Sequence, residues 1–211
     1  MSPPLDRRLL VLHGLRLKGF AAPAAVAEAA GLPVGESTEL LEGLVAEGLA
    51  KHRSGKVSGF ALTPAGRQEH AEQLRAELEV AGARPAVDRA YARFLAHNAD
   101  LLGVCTDWQL RDIDGHSSVN DHSDGVYDAQ VVARLAALHA EAEPICEALG
   151  AALQRFAAYG SRLGYALHQV QAGEVDWFTK PMIASYHTVW FELHEDLLCT
   201  LGIERGSEVV A

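Results

Sequence analysis

Polar side chains able to bind a ligand or exchange a proton stand where the helices of this 211-residue chain otherwise carry apolar ones. Asn98 continues the stripe of Tyr91, Phe94 and Leu95, and His187 and His194 share a stripe with Ile183, Tyr186, Trp190 and Leu197. The two histidines are seven residues apart, about 10.5 Å along a helix axis, too far to clasp one metal ion unless another element reaches between them. Trp108, Arg111, Asp121, His122, Asp124 and Asp128 supply further polar and aromatic groups nearby in sequence. Three chemistries fit this pattern. The polar residues are hydrogen-bonded members of a core. Alternatively, Asn98, Trp108, Arg111, His122, His187, Trp190 and His194 line an aromatic pocket for a small molecule. A metal site would draw on His116, Asp121 and His122, which have ligand chemistry but no recognised spacing. No nucleophile–base pair, glycine-rich phosphate loop or metal-ligand spacing is visible, so the sequence predicts neither an enzyme nor a bound cofactor.

These groups must be positioned by two halves with different patterning. Leu5, Leu9, Leu12 and Leu15 recur at helical spacing and predict a first helix ending near Gly19. Ala22 to Ala30 predicts a short alanine-rich helix closed by Gly31-Leu32-Pro33. A third helix from about Gly35 keeps Leu40, Leu41, Leu44, Val45 and Leu49 on one face, with Gly48 breaking it. Lys51 to Leu62 reads as two short strands around a Ser-Gly turn. Thr63 then caps a helix that has Pro64 at its first position and runs to about Gly82. Beyond Pro85 the chain reads as helix throughout, with turn chemistry gathered in Asp112–Gly125. Helices are predicted over Val87–Leu102, Val126–Ala142, Pro144–Ala158, Ser161–Ala172 and Pro181–Leu201, joined by connections short enough for a bundle. The expected fold is mainly α: a winged helix over 1–82 and an all-α helical bundle over 86–211, the latter for ligand sensing or dimerisation.

Three segments carry a family resemblance: Ala24-Ala25-Val26-Ala27-Glu28-Ala29-Ala30-Gly31-Leu32, then Leu41-Glu42-Gly43-Leu44-Val45-Ala46-Glu47-Gly48-Leu49, then Leu62-Thr63-Pro64-Ala65-Gly66-Arg67. In order and spacing they resemble the scaffold helix, the recognition helix and the exit from the wing of MarR-type winged helix-turn-helix bacterial regulators. The resemblance implies a DNA-binding homodimer. Its candidate DNA contacts are Ser37 and Thr38 on the recognition helix and Lys51, Arg53 and Lys56 on the wing. A helix read in the major groove needs basic or amide side chains facing outward. Here the outward positions Glu36, Glu39 and Glu42 are acidic, and no Lys or Arg lies between Pro33 and Ala50. A second stretch, Ser185 to Leu198 with Asn120-Asp121-His122-Ser123-Asp124, is similar to an accessory region found with pyruvate phosphate dikinase-like proteins. It implies the alternative reading: an interaction module without DNA contact that regulates a partner protein, such as a phosphoenolpyruvate-utilising enzyme.

Composition bounds all of this. At 49% hydrophobic and 22% charged, the chain is of ordinary globular type. Its formal charge of -10 is unevenly placed: residues 1–85 hold ten basic and ten acidic side chains, residues 86–211 eight and eighteen. The helical half is therefore a poor nucleic-acid surface, while total charge says nothing against DNA binding by the first half. Cys105, Cys146 and Cys199 form no CxxC pair and read as reduced thiols, and no apolar run approaches the length of a membrane span. The chain is expected to be cytoplasmic, without membrane contact.

Overall fold

The computed structural model describes residues 6–113 and 115–204. Leu5 of the expected first helix, Asp114, and 205–211 of the expected helical domain lie outside the described residues. The protein is mainly helical and divides into two compact units: the described residues up to Ala83 with those from Leu198 onward, and Arg84–Leu197. The residues from Leu198, which the sequence reading gives to the helical half, thus group with the first unit.

In the first unit, α1 (Arg7–Lys18) starts where the Asp6 carboxylate accepts the backbone N–H groups of Arg8 and Leu9, and stops at Gly19, whose φ of 71° suits a residue without Cβ. α2 (Pro23–Ala30) has Pro at its start and is closed by Gly31 at φ 65°. α3 (Val34–Ala46) follows Pro33 and ends where the Leu49 N–H bonds the Leu44 carbonyl. β1 (Ala50–Arg53) and β2 (Gly59–Leu62) then pair antiparallel, Ala50 opposite Leu62 and Arg53 opposite Gly59. Ala21 adds a bridge to Phe60 with both backbone bonds made, at 3.0 and 2.8 Å. Val11, Leu12, Leu15, Val26, Leu41, Leu44 and Phe60 form the core beneath this winged-helix arrangement. α4 (Pro64–Val80) leads away from the wing.

The Leu62–Arg67 segment shows why the wing leaves through those residue types. Thr63 Oγ1 donates to the Gly48 carbonyl at 2.8 Å and accepts the Gly66 N–H at 3.1 Å, so one hydroxyl ties the end of α3 to the start of α4. A Cβ on Gly66 would lie 1.9 Å from the Leu49 carbonyl oxygen, a backbone approach that only glycine permits. Arg67 Nη1 donates to the Leu62 carbonyl at 3.1 Å.

The second unit starts with α5 (Arg84–Gln109), then β3 (Leu110–Ile113) and β4 (His116–Val119) as an antiparallel hairpin. This hairpin corrects the expectation of a wholly helical second half. Most of its residues are polar, and its apolar Leu110 and Val119 are exposed, so it lacks the apolar alternation of a half-buried strand and reads as a turn. α6 (Gly125–Ala152) runs through Pro144 without ending there, which merges two expected helices. Pro144 is exposed, so the carbonyl it leaves without an N–H partner is on the solvent side, while Ala142, Ile145 and Leu149 keep the opposite face buried. A 3-10 turn (Gln154–Phe156) leads into α7 (Ala158–Gln171), where Ser161 is no cap: its hydroxyl donates back to the Ala158 carbonyl. After α8 (Asp176–Thr179), α9 (Tyr186–Leu201) begins five residues later than Pro181, because Ser185 Oγ accepts the Thr188 N–H and caps it there. Phe94, Leu101, Leu135, Phe156, Phe178 and Tyr186 are among the buried residues of this unit. Among the described residues no helix is long and apolar enough to cross a membrane.

Candidate functional site

α3 and the wing define the first candidate surface. Helical phase turns Leu41 and Leu44 inward, and four residues before Leu41 it turns Ser37 inward as well. Ser37 is 0% exposed, and its Oγ has no hydrogen-bond partner among the described residues. It is withdrawn as a DNA contact: its hydroxyl faces the core. Thr38 is half-buried and donates to the Val34 carbonyl at 2.8 Å, so its hydroxyl proton is committed within the helix. Lys51, Arg53 and Lys56 are all exposed, and 50–62 contains no acidic residue. His52 lies against Phe60, ring centroids 4.6 Å apart, and meets Ser58 Oγ at 3.0 Å, which joins the two strands side chain to side chain.

The acidity of α3 is not uniform. Arg7 pairs with Glu36, and Arg8 pairs with Glu47 and, at 3.8 Å, with Glu69. The arginines of α1 thereby balance both ends of α3, leaving Glu39 and Glu42 as its exposed glutamates without an ion-pair partner among the described residues.

In the second unit the residues expected to line one pocket fall into two groups. Trp190 Nε1 donates to Asn98 Oδ1 at 3.1 Å; the Trp190 ring stacks on Phe94 at 4.5 Å, and His194 packs 5.3 Å from Phe94 and 6.4 Å from Tyr91. The other group is at the base of the hairpin. Trp108 lies between His122 and Phe178, each at 4.4 Å, and Arg111 donates to Asp124 at 2.9 Å while lying 4.9 Å over the Tyr127 ring. Asn98 and Trp108 are ten residues apart on α5, about 15 Å along the axis, so the single aromatic pocket expected from the sequence does not form. His187 belongs to neither set of contacts; it is half-buried, and burial lowers its pKa in favour of the neutral ring.

His122 adopts φ 59°, uncommon for a residue with a Cβ. Its backbone N–H reaches Asn120 Oδ1 at 3.3 Å, and its Nδ1 lies 2.9 Å from Asp128 Oδ2. Asn120 Nδ2 donates to the other Asp128 oxygen at 2.8 Å and to the Trp108 carbonyl at 3.1 Å. This places the Nδ1–H toward Asp128. The Tyr127 and Val126 N–H groups and Arg111 hold the Asp124 carboxyl below the usual range, the Tyr127 bond being the largest cause. Among the described residues no group of three or more His, Cys, Asp or Glu side chains could hold a metal ion; Asp121 instead accepts from Ser123, and His116 is exposed on β4.

The sequence reading missed two features. One is a cleft of about 490 Å³ in the second unit, lined by Glu143, Cys146 and Glu147 of α6 and by Gly160, Ser161 and Gly164 of α7. Glycines four residues apart are the available signal, since they let α7 approach α6 closely. Burial, with Glu143 and Glu147 adding to it, pushes the Cys146 thiol up to about 11. The other is a buried ionic cluster in which Asp196 accepts from Arg155 and, at 3.0 Å, from Tyr159, while Arg162 pairs with Glu192. Burial is the main reason that the Tyr159 hydroxyl stays protonated far above the usual pH.

Comparison with protein-family models, with curated proteins and with solved structures finds no match to this chain.

Proposed function

We propose that this protein is a winged-helix transcriptional regulator whose first unit binds DNA through the wing. The second unit serves as its effector-sensing or dimerisation part, in a cytoplasmic homodimer. The observation that carries the reading is the wing: Lys51, Arg53 and Lys56 project into solvent from a hairpin without acidic residues, anchored at its base by the Ala21–Phe60 bridge and the Thr63 bonds. Such a hairpin neutralises phosphates irrespective of sequence. The pairing of Glu36 and Glu47 with Arg7 and Arg8 supports it further, because it reduces the like charge that α3 would bring to a duplex. A small-molecule effector would find its room in the cleft between α6 and α7.

Fluorescence anisotropy with duplex DNA over a salt series tests the reading. Each phosphate contact contributes a slope of about -0.9 in log affinity against log salt. Replacing Lys51, Arg53 and Lys56 together by Gln is expected to make the slope shallower by about 2.7 and to weaken binding to all sequences alike. Absence of binding at low salt, or an unchanged slope in the triple variant, refutes it.

A further inference from the structure

α3 and the wing are consecutive in the first unit. The turn at Glu47–Leu49 joins them, and the Thr63 N–H closes it by bonding the Leu49 carbonyl at 2.9 Å. Neighbouring elements thus carry opposite charge: exposed Glu39 and Glu42 on the helix, exposed Lys51, Arg53 and Lys56 on the hairpin. No ion pair joins these two sets within one chain among the described residues. The glutamates flanking them, Glu36 and Glu47, are already engaged by Arg7 and Arg8, so the uncompensated negative charge of α3 is confined to Glu39 and Glu42.

A surface with adjacent positive and negative patches is self-complementary under a two-fold axis, because each patch then meets its opposite on the partner. The chain supplies both the acidic face and a basic element free to cover it. We propose that the acidic face of α3 docks the basic wing of a second copy of this chain, reciprocally, in a closed two-fold pair. The pair rests on exposed charges, so it forms at low ionic strength and is screened by salt. Its consequence for regulation rests on the wing being the DNA contact: self-association then covers the residues that would touch phosphate, and the duplex and the second copy compete for them.

Sedimentation velocity on the full chain tests this. The wild type is expected to show an association step at about 50 mM salt that is weakened at least about tenfold by 500 mM. The charge reversals E39K/E42K and K51E/R53E/K56E alter exposed positions only, and circular dichroism checks that both variants fold. Each alone is expected to lose the step. An equimolar mixture of the two is expected to restore it, because the unaltered wing of the first meets the unaltered helix of the second, and the reversed helix meets the reversed wing. A wild type without a salt-sensitive step, a variant that keeps it, or a mixture that fails to regain it overturns the proposal. DNA binding is measured separately by anisotropy: restored pairing without any duplex binding supports the docking and refutes the DNA reading, whereas duplex binding without pairing does the reverse.

Discussion

Replacing Gly66 by Ala isolates the contact on which the wing's position depends. The added Cβ would lie 1.9 Å from the Leu49 carbonyl oxygen and 2.8 Å from its carbon, while ordinary carbon contacts begin near 3.5 Å. The obstacle is backbone, so no rotamer change relieves it. Either the Leu49 turn or the first turn of α4 must move by more than 1 Å, and the Thr63 bonds to Gly48 and Gly66 span that gap. Overpacking of a rigid contact costs about 1–3 kcal/mol, and loss of the Thr63 cap adds about 1 kcal/mol, so a total of about 3 kcal/mol is expected. The control is Gly43→Ala on α3, where a Cβ meets nothing within 4 Å; there the gain in helix propensity is expected to stabilise by about 0.5–1 kcal/mol. Native-state hydrogen exchange at β1 and β2 is the assay, since it reads the opening free energy of the wing directly. Exchange from Leu49, Phe60 and Thr63, whose N–H groups bond the Leu44, Ala21 and Leu49 carbonyls, should accelerate by about two orders of magnitude in the Gly66 variant and slow in the Gly43 variant. A Gly66→Ala protein with unchanged protection at those amides would refute the claim that glycine is required there.

Other predictions concern the second unit. Asp196→Asn removes the carboxylate charge facing buried Arg155, which should cost about 3–5 kcal/mol; urea unfolding followed by the fluorescence of Trp108, Trp177 and Trp190, all in Arg84–Leu197, measures it, and a loss below about 1 kcal/mol counts against the cluster as described. Burial lowers the pKa of His139, against an opposing contribution from Glu143, and burial also lowers that of His187. The unfolded chain therefore binds more protons than the folded one as pH falls below about 6.5, so stability should decline from that pH downward and level off once the folded-state values are passed. His139→Gln and His187→Gln should each flatten the decline, and an unchanged pH slope in both would contradict the assignment. Burial raises the Cys105 thiol to about 12 and the Cys146 thiol to about 11. At about pH 8, alkylation with iodoacetamide should leave both unmodified in the native protein and label both in denaturant; rapid native labelling of either would show that it is not buried.

The winged helix is legible because its punctuation is local. Gly19, Gly31, Pro33, Gly48 and the Thr63-Pro64 pair each end or start an element through their own backbone preferences, and the apolar spacing between them selects one core. The hairpin at Leu110–Val119 escaped because its strands bury little, although the Asp114-Gly115 dipeptide is a recognised hairpin signal and Gly115 has φ 79°. Pro144 misled in the opposite direction: a proline on the solvent face of a well-packed helix interrupts one bond without ending the element. The candidate site residues are harder to read than the fold. Helical spacing puts Asn98 on the stripe of Phe94 and His194 on the stripe of Trp190, but periodicity carries no information about which helices meet, so the Trp190–Asn98 bond is visible only in the structure, and Trp108, Arg111 and His122 are gathered at a hairpin that the apolar pattern of the sequence does not announce. Ser37 failed for a simpler reason: residue type suggested a polar contact, while its phase relative to Leu41 required burial.

Charge shows the same dependence on arrangement at every scale. The total of -10 argues against a nucleic-acid partner only if charge is spread evenly, and the even balance of residues 1–85 removes that argument for the first unit. The acidic sequence of α3 would restore it if all four glutamates from Glu36 to Glu47 faced solvent alone. Two of them are held by Arg7 and Arg8, so the opposing field at the helix comes from Glu39 and Glu42. Those two are set against three exposed cations on the next element. In the proposed readings a duplex and the α3 of a second copy would meet the same three cations of the wing, so the two compete for them and salt concentration decides how strongly either is held.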